Sequence, residues 1–73
     1  MEEYGLERAL RVSKEFGKEA AANNTQFSRD DRLDMARYYG VDTWTDIPVE
    51  HRNMLIDAFR EGERIERAYR NNF

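Results

Sequence analysis

A chain of 73 residues without cysteine makes one domain at most, and it can hold neither a disulfide nor a thiolate–metal site. Its 12 basic and 15 acidic side chains leave a net charge of −3 with the signs interspersed, so no strong field draws it to nucleic acid or to an anionic membrane. Apolar runs such as Met54-Leu55-Ile56 fall far short of the roughly 20 residues that span a bilayer. The acidic opening Met1-Glu2-Glu3-Tyr4 also lacks the basic-then-apolar start of a signal peptide, so a soluble cytoplasmic protein is expected.

The first helix is predicted over residues 3–22, opening at Glu2 or at Leu6. At 100° per residue, Leu6, Ala9, Leu10, Ser13, Phe16, Gly17 and Ala20 share one stripe. Glu7, Arg8, Arg11, Lys14, Glu15, Lys18 and Glu19 take the other side, where Glu7–Arg11 and Arg11–Glu15 are spaced as i,i+4 pairs adding about 0.3 kcal/mol each.

Asn23-Asn24-Thr25-Gln26 has loop composition. Ser28 then fits a helix N-cap with Asp31 three residues on, a variant of the capping box. The second helix is predicted over 29–39, with Gly40 as a left-handed C-cap and Val41 folding back onto the last turn. Leu33, Ala36 and Tyr39 are assigned its inner face, Met35 its flank, and Tyr38 the outside beside Asp31 and Asp34. Neighbours on a helix do not share a face, so one of Tyr38 and Tyr39 is expected to look outward.

Asp42 to Ile47 reads as a short connection with a 3₁₀ turn near 43–47, around Trp44. Pro48 suits the start of a helix, where its missing N–H is not needed, and the third helix is predicted over 48–71. His51, Leu55, Ala58, Phe59, Gly62, Ile65 and Tyr69 are assigned its inner face, with Val49 and Ile56 as a second apolar strip. Three helices joined by short loops predict an all-α, compact three-helix bundle forming a single domain over 1–73. Gly17 and Gly62 both fall on inner faces, which predicts that helices one and three cross there. Under the alternative, Gly62 ends a shorter third helix.

The chain offers little for catalysis. His51 is the only histidine and there is no cysteine, so no nucleophile, base and orienting group can be assembled from the usual set. His51 is expected to be partly buried and hydrogen-bonded. Asp30 and Asp31 are explained by the helix dipole, and the spacing of Asp30, Asp31, Asp34, Asp42 and Asp46 does not match a calcium loop. The four glycines are isolated, so no phosphate-binding loop is present. No enzymatic activity, cofactor or metal is expected.

Met35 to Asp42 resembles the first helix and turn of a helix-turn-helix, where a small residue precedes a turn glycine by four. The likeness ends at Asp46, which stands where an apolar residue is required, and at Pro48, which would break the recognition helix. The ladder Arg60, Arg64, Arg67, with Arg70 at its margin, could neutralise phosphates. It is diluted by Glu61 and by the Glu63–Arg67 and Glu66–Arg70 pairs. A nucleic-acid-binding regulator is therefore the alternative reading.

A surplus of large apolar and arginine side chains instead favours a protein partner. Tyr4, Tyr38, Trp44, Tyr69 and Phe73 exceed what a core of this size needs, and arginines outnumber lysines ten to two. In compactness, acidity and lack of a catalytic set the chain resembles, by type and not by motif, small virus-encoded proteins that disable host machinery, including inhibitors of CRISPR nucleases. The expected function is a non-enzymatic protein-interaction module: an adaptor, small subunit or inhibitor that could also form a homo-oligomer through its third helix. Its contacts are expected at Tyr38, Asp31, Asp34, Trp44, Arg60, Arg64, Arg67 and Tyr69, although Trp44 could plug the end of the bundle and Tyr69 cap the core.

Overall fold

The computed structural model describes residues 5–71, which form α1 (Leu6–Asn23), α2 (Arg29–Tyr39), a 3₁₀ turn (Trp44–Asp46) and α3 (Val49–Asn71), with no strand among them. The predicted three-helix bundle is the observed architecture, and the second helix has the predicted bounds. The first begins at Leu6 and not at residue 3, because Gly5 has φ 128 and ψ −163, a conformation readily open only to glycine. The Gly5 N–H donates to the Tyr38 carbonyl at 3.3 Å, which ties the start of α1 to the end of α2. Residues 1–4, including the alternative start at Glu2 and the ring of Tyr4, lie outside the described residues, as does Phe73.

Each helix end follows from local chemistry. Asn24 closes α1 in the left-handed region at φ 57, and the Thr25 N–H donates to the Ala20 carbonyl at 2.8 Å. Ser28 and Asp31 form the predicted reciprocal box: Ser28 Oγ accepts from the Asp31 N–H at 3.2 Å, and Asp31 Oδ2 from the Ser28 N–H at 2.9 Å. Gly40, at φ 103, ends α2, and the Val41 N–H donates to the Ala36 carbonyl at 2.9 Å. The Asp46 carboxylate accepts from the Thr43 N–H at 3.2 Å and closes the 3₁₀ turn. The Pro48 carbonyl then accepts the first bond of α3 from the Arg52 N–H at 2.9 Å.

The nine residues from Gly40 to Pro48, with the 3₁₀ turn inside them, separate α2 from α3 more widely than the tight turn of a helix-turn-helix. That likeness therefore does not extend to the fold.

α1 and α3 lie side by side and run in the same direction, the outcome of an up-down-up path with short loops. Leu10 and Lys14 share a groove with Met54 and Ala58, and further along the pair Gly17 meets Phe59 and Glu63. The contact between them is made of backbone. A Cβ on Gly17 would be driven into the Phe59 carbonyl, and one on Gly62 into the Lys14 carbonyl, with the Lys18 nitrogen 3.1 Å away. Main-chain atoms cannot swing aside, so both glycines are required. α3 passes through Gly62 unbroken for 23 residues, which overturns the reading in which Gly62 ends a shorter helix. The buried line on α1 is Ala9, Ser13, Gly17 and Ala20; on α3 it is Leu55, Phe59 and Gly62.

This close approach turns α3 about its axis relative to the predicted inner face. Glu63 and Glu66 become half-buried, whereas Ile65 is 40% exposed and Tyr69 63% exposed, so Tyr69 does not cap the core. α2 departs likewise, with Met35 fully buried and Leu33 45% exposed. It packs on α1 and reaches α3 through side chains such as Tyr39, so its buried arc is wide and centres near Met35 and Ala36. Tyr38 is half-buried and not on the outside, because α2 serves two neighbours. The Tyr38 ring meets Phe16 of α1 edge-on at 6.4 Å, and the Tyr39 hydroxyl lies 2.7 Å from Nδ1 of His51 on α3. Adjacent residues about 100° apart thus reach different helices, and the expected hydrogen bond to His51 is the bond to Tyr39.

Phe27 follows a stretch of loop composition, yet it joins the core. Its ring packs at 4.9 Å on Phe59 and 6.0 Å on Trp44. The buried apolar set among the described residues is otherwise small: Ala9, Ala20, Met35, Ala36, Ile47, Leu55 and Phe59.

The crossing and the buried hydroxyl beside it can each be tested by stability. Gly17→Ala and Gly62→Ala each improve helix propensity by about 1 kcal/mol, yet overpacking against backbone should outweigh that and lower stability by about 2 kcal/mol, a melting-point loss of roughly 8–16 °C. An unchanged melting point in either variant would contradict the crossing. Ser13 is fully buried and its Oγ has no hydrogen-bond partner among the described residues. Ser13→Ala removes that unmet group and should stabilise by about 1 kcal/mol in denaturant titration.

Candidate protein-docking surface

The predicted contact residues do not converge on one site. Asp31 is committed to its capping role, and its carboxylate borders a small polar dimple with Glu19, Asn23 and Thr25. Asp34 is half-buried about one turn further along α2. Trp44 is held edge-on against Phe27 and packs, half-buried, on the core. Tyr69 stands on the last turns of α3, apart from the other predicted contacts.

Arg60, Arg64 and Arg67 do gather, around a shallow cleft on the exposed side of α3. Asp57 and Glu63 line the same cleft. Arg67 is paired with Glu63 at 3.6 Å, and one turn on Arg70 is paired with Glu66 at 3.2 Å. In both i,i+4 pairs the arginine is exposed and the glutamate half-buried, and such surface pairs are worth about 0.3–0.5 kcal/mol. The cleft therefore offers mixed charge and no cationic track. On α1 the expected spacing resolves differently, with Glu15 met by Lys18 at 3.5 Å.

Two open grooves border α1, one shared with α2 and the other with α3. The first lies where α2 meets α1 and is lined by Arg8, Arg11, Val12, Glu15, Phe16 and Tyr38. Its floor is aromatic and aliphatic, and the Arg8 guanidinium sits over the Tyr38 ring at 5.2 Å. Such a stack holds the arginine's planar fork in place and contributes roughly 0.5–1 kcal/mol at an exposed site. An aromatic ring and an arginine positioned together over an apolar floor are the combination that anchors protein interfaces.

The second groove lies between Leu10, Arg11 and Lys14 of α1 and Met54, Ala58 and Glu61 of α3. Apolar periodicity places Leu10 and Ala58 inside and gives Met54 no role. The signal that could have found this groove is the run of small residues Ala9, Ser13 and Gly17. Once those fill the crossing, the larger side chains beside them must stand at its edges.

Among the described residues no three His, Asp or Glu side chains are placed to hold a metal ion, and no helix is long and apolar enough to cross a membrane. The single histidine is engaged with the Tyr39 phenol. Compared with protein-family models, curated proteins and solved structures, the chain matches none of them.

The packing predicts different costs for the two rings. Trp44→Ala should cost about 3 kcal/mol in denaturant unfolding, because it opens a void beside Phe27. Tyr38→Ala should cost about 1 kcal/mol, because its ring is only half-buried at the rim of the core. Equal losses would place the Tyr38 ring in the core and remove it as a contact residue.

Proposed function

We propose that this chain is a non-enzymatic protein-binding module of the cytoplasm, an adaptor, small subunit or inhibitor, that grips its partner through the Tyr38 groove. The observation that carries the reading is the Arg8–Tyr38 stack over Val12 and Phe16. It is a pre-positioned aromatic–arginine pair at the rim of an apolar floor. Pre-positioning matters because each rotamer-rich side chain immobilised on binding otherwise costs roughly 0.5–1.5 kcal/mol. The stack has already restricted both side chains in the free protein. The likeness of type to small inhibitors of host machinery accords with this reading.

The alternative, a nucleic-acid-binding regulator, would depend on Arg60, Arg64 and Arg67. Asp57 and Glu63 in the same cleft weaken it, as phosphates would meet carboxylates there.

The test compares affinity capture by the natural chain, Tyr38→Ala and Arg8→Glu, each first shown to be folded by circular dichroism. A specific partner should be retained by the natural chain and lost by about tenfold or more in both variants, as expected for anchor residues. Equal retention by all three would refute the Tyr38 groove as the contact surface. Salt-sensitive gel-shift binding abolished by Arg60→Ala with Arg64→Ala would favour the nucleic-acid reading instead.

A further inference from the structure

The groove between α1 and α3 has a different character, and it carries charge in a pattern that specifies an occupant. Its α1 wall is basic, with Arg11 and Lys14; its α3 wall presents Glu61; Leu10, Met54 and Ala58 lie between them. None of the three charged groups forms an ion pair among the described residues. Met54 is 43% exposed, and Ile65, four residues after Glu61 on the same side of α3, extends the apolar strip. No residue of α2 lines this groove.

We propose that this groove binds a second copy of the chain, related by a two-fold axis running along α1 and α3. That rotation sets the α1 wall of one copy against the α3 wall of the other, so Lys14 faces the partner's Glu61 and Glu61 faces the partner's Lys14. The same pair forms twice, as an isologous contact requires. The other way to stack two such faces, with the axis across the helices, sets α1 on α1 and α3 on α3. Lysine and arginine then oppose their own kind and glutamate opposes glutamate, an arrangement that like-charge repulsion disfavours. Charge therefore selects one geometry, and the apolar strip of Leu10, Met54, Ala58 and Ile65 supplies its centre.

The size of the core points the same way. Seven buried apolar residues, three of them alanine, make a small core for the described chain. Domains of this length commonly add an oligomeric contact to what a single core supplies. A four-helix arrangement of two α1–α3 pairs would bury the groove on both copies.

The test is a set of charge exchanges read by sedimentation equilibrium at about 1–100 µM, the range in which modest self-association is resolved. The natural chain should show twice the mass of one chain. Lys14→Glu alone and Glu61→Lys alone should each weaken dimerisation by about tenfold or more, because both pairs become repulsive. Mixing the two single variants should restore a heterodimer, since the all-acidic pair of positions on one copy then faces the all-basic pair on the other. The double variant should restore the homodimer, because each contact regains opposite signs with the walls exchanged. A natural chain that is monomeric at about 100 µM would overturn the proposal. So would a dimer indifferent to both single exchanges, or single variants that fail to rescue one another while remaining folded by circular dichroism. The outcome is independent of Tyr38 and Arg8, which line the other groove.

Discussion

The fold rests on a contact that involves almost no side chain: the backbone of α1 against the backbone of α3 at Gly17 and Gly62. Two helices can approach this closely only where nothing projects between them, and each glycine occupies the position where a methyl group would strike a carbonyl of the other helix. Glycine in a helix is unfavourable by about 1 kcal/mol relative to alanine, so its presence at both positions is explained by what the close approach gains. That gain is dispersion contact along the full small-residue line of Ala9, Ser13, Gly17 and Ala20. The approach also sets the rotation of both helices about their axes. Larger side chains are displaced to the flanks, Phe16 and Val12 to the groove beside Tyr38 and Leu10 and Met54 to the groove between α1 and α3.

α2 then packs on the first of those flanks. It is only 11 residues long and its apolar content is low, so its position depends on specific ties more than on area. Tyr38 packs toward α1 and Tyr39 bonds to His51 of α3, while the Gly5 N–H to Tyr38 carbonyl bond fixes its end. At its start, Phe27 links the helix entry to Phe59 and Trp44. The sole histidine, the residue type most often recruited for proton transfer, is here part of a structural tie.

The two grooves beside α1 divide the labour in the reading we propose. The Arg8–Tyr38 groove would take a different protein, and the Lys14–Glu61 groove a second copy. Arg11 borders both. A dimer built on the second groove would leave the first open on each copy, presenting two Tyr38 surfaces at once. Two linked contacts bind an arrayed or symmetric target far more tightly than either alone, provided the spacing allows both to engage.

Much of this was legible in the sequence, and the legible parts share a physical cause. Helix ends are decided within a few residues by caps and backbone conformation, so Ser28, Asp31, Gly40 and Pro48 marked the limits of α2 and the start of α3. Apolar periodicity marked α1 and α3 as amphipathic, and the paired inner glycines marked their crossing. What periodicity could not supply was the direction in which each helix faces to within one residue. An apolar arc on a helix is wide, and its true centre depends on where the neighbouring backbones lie. That dependence moved Met35 inward and Leu33, Ile65 and Tyr69 outward, brought Phe27 into the core, and gave Tyr38 and Tyr39 separate neighbours. The docking grooves belong wholly to that second category: Arg8 is 30 residues from Tyr38 and Lys14 is 47 from Glu61, and only the packed helices bring them together.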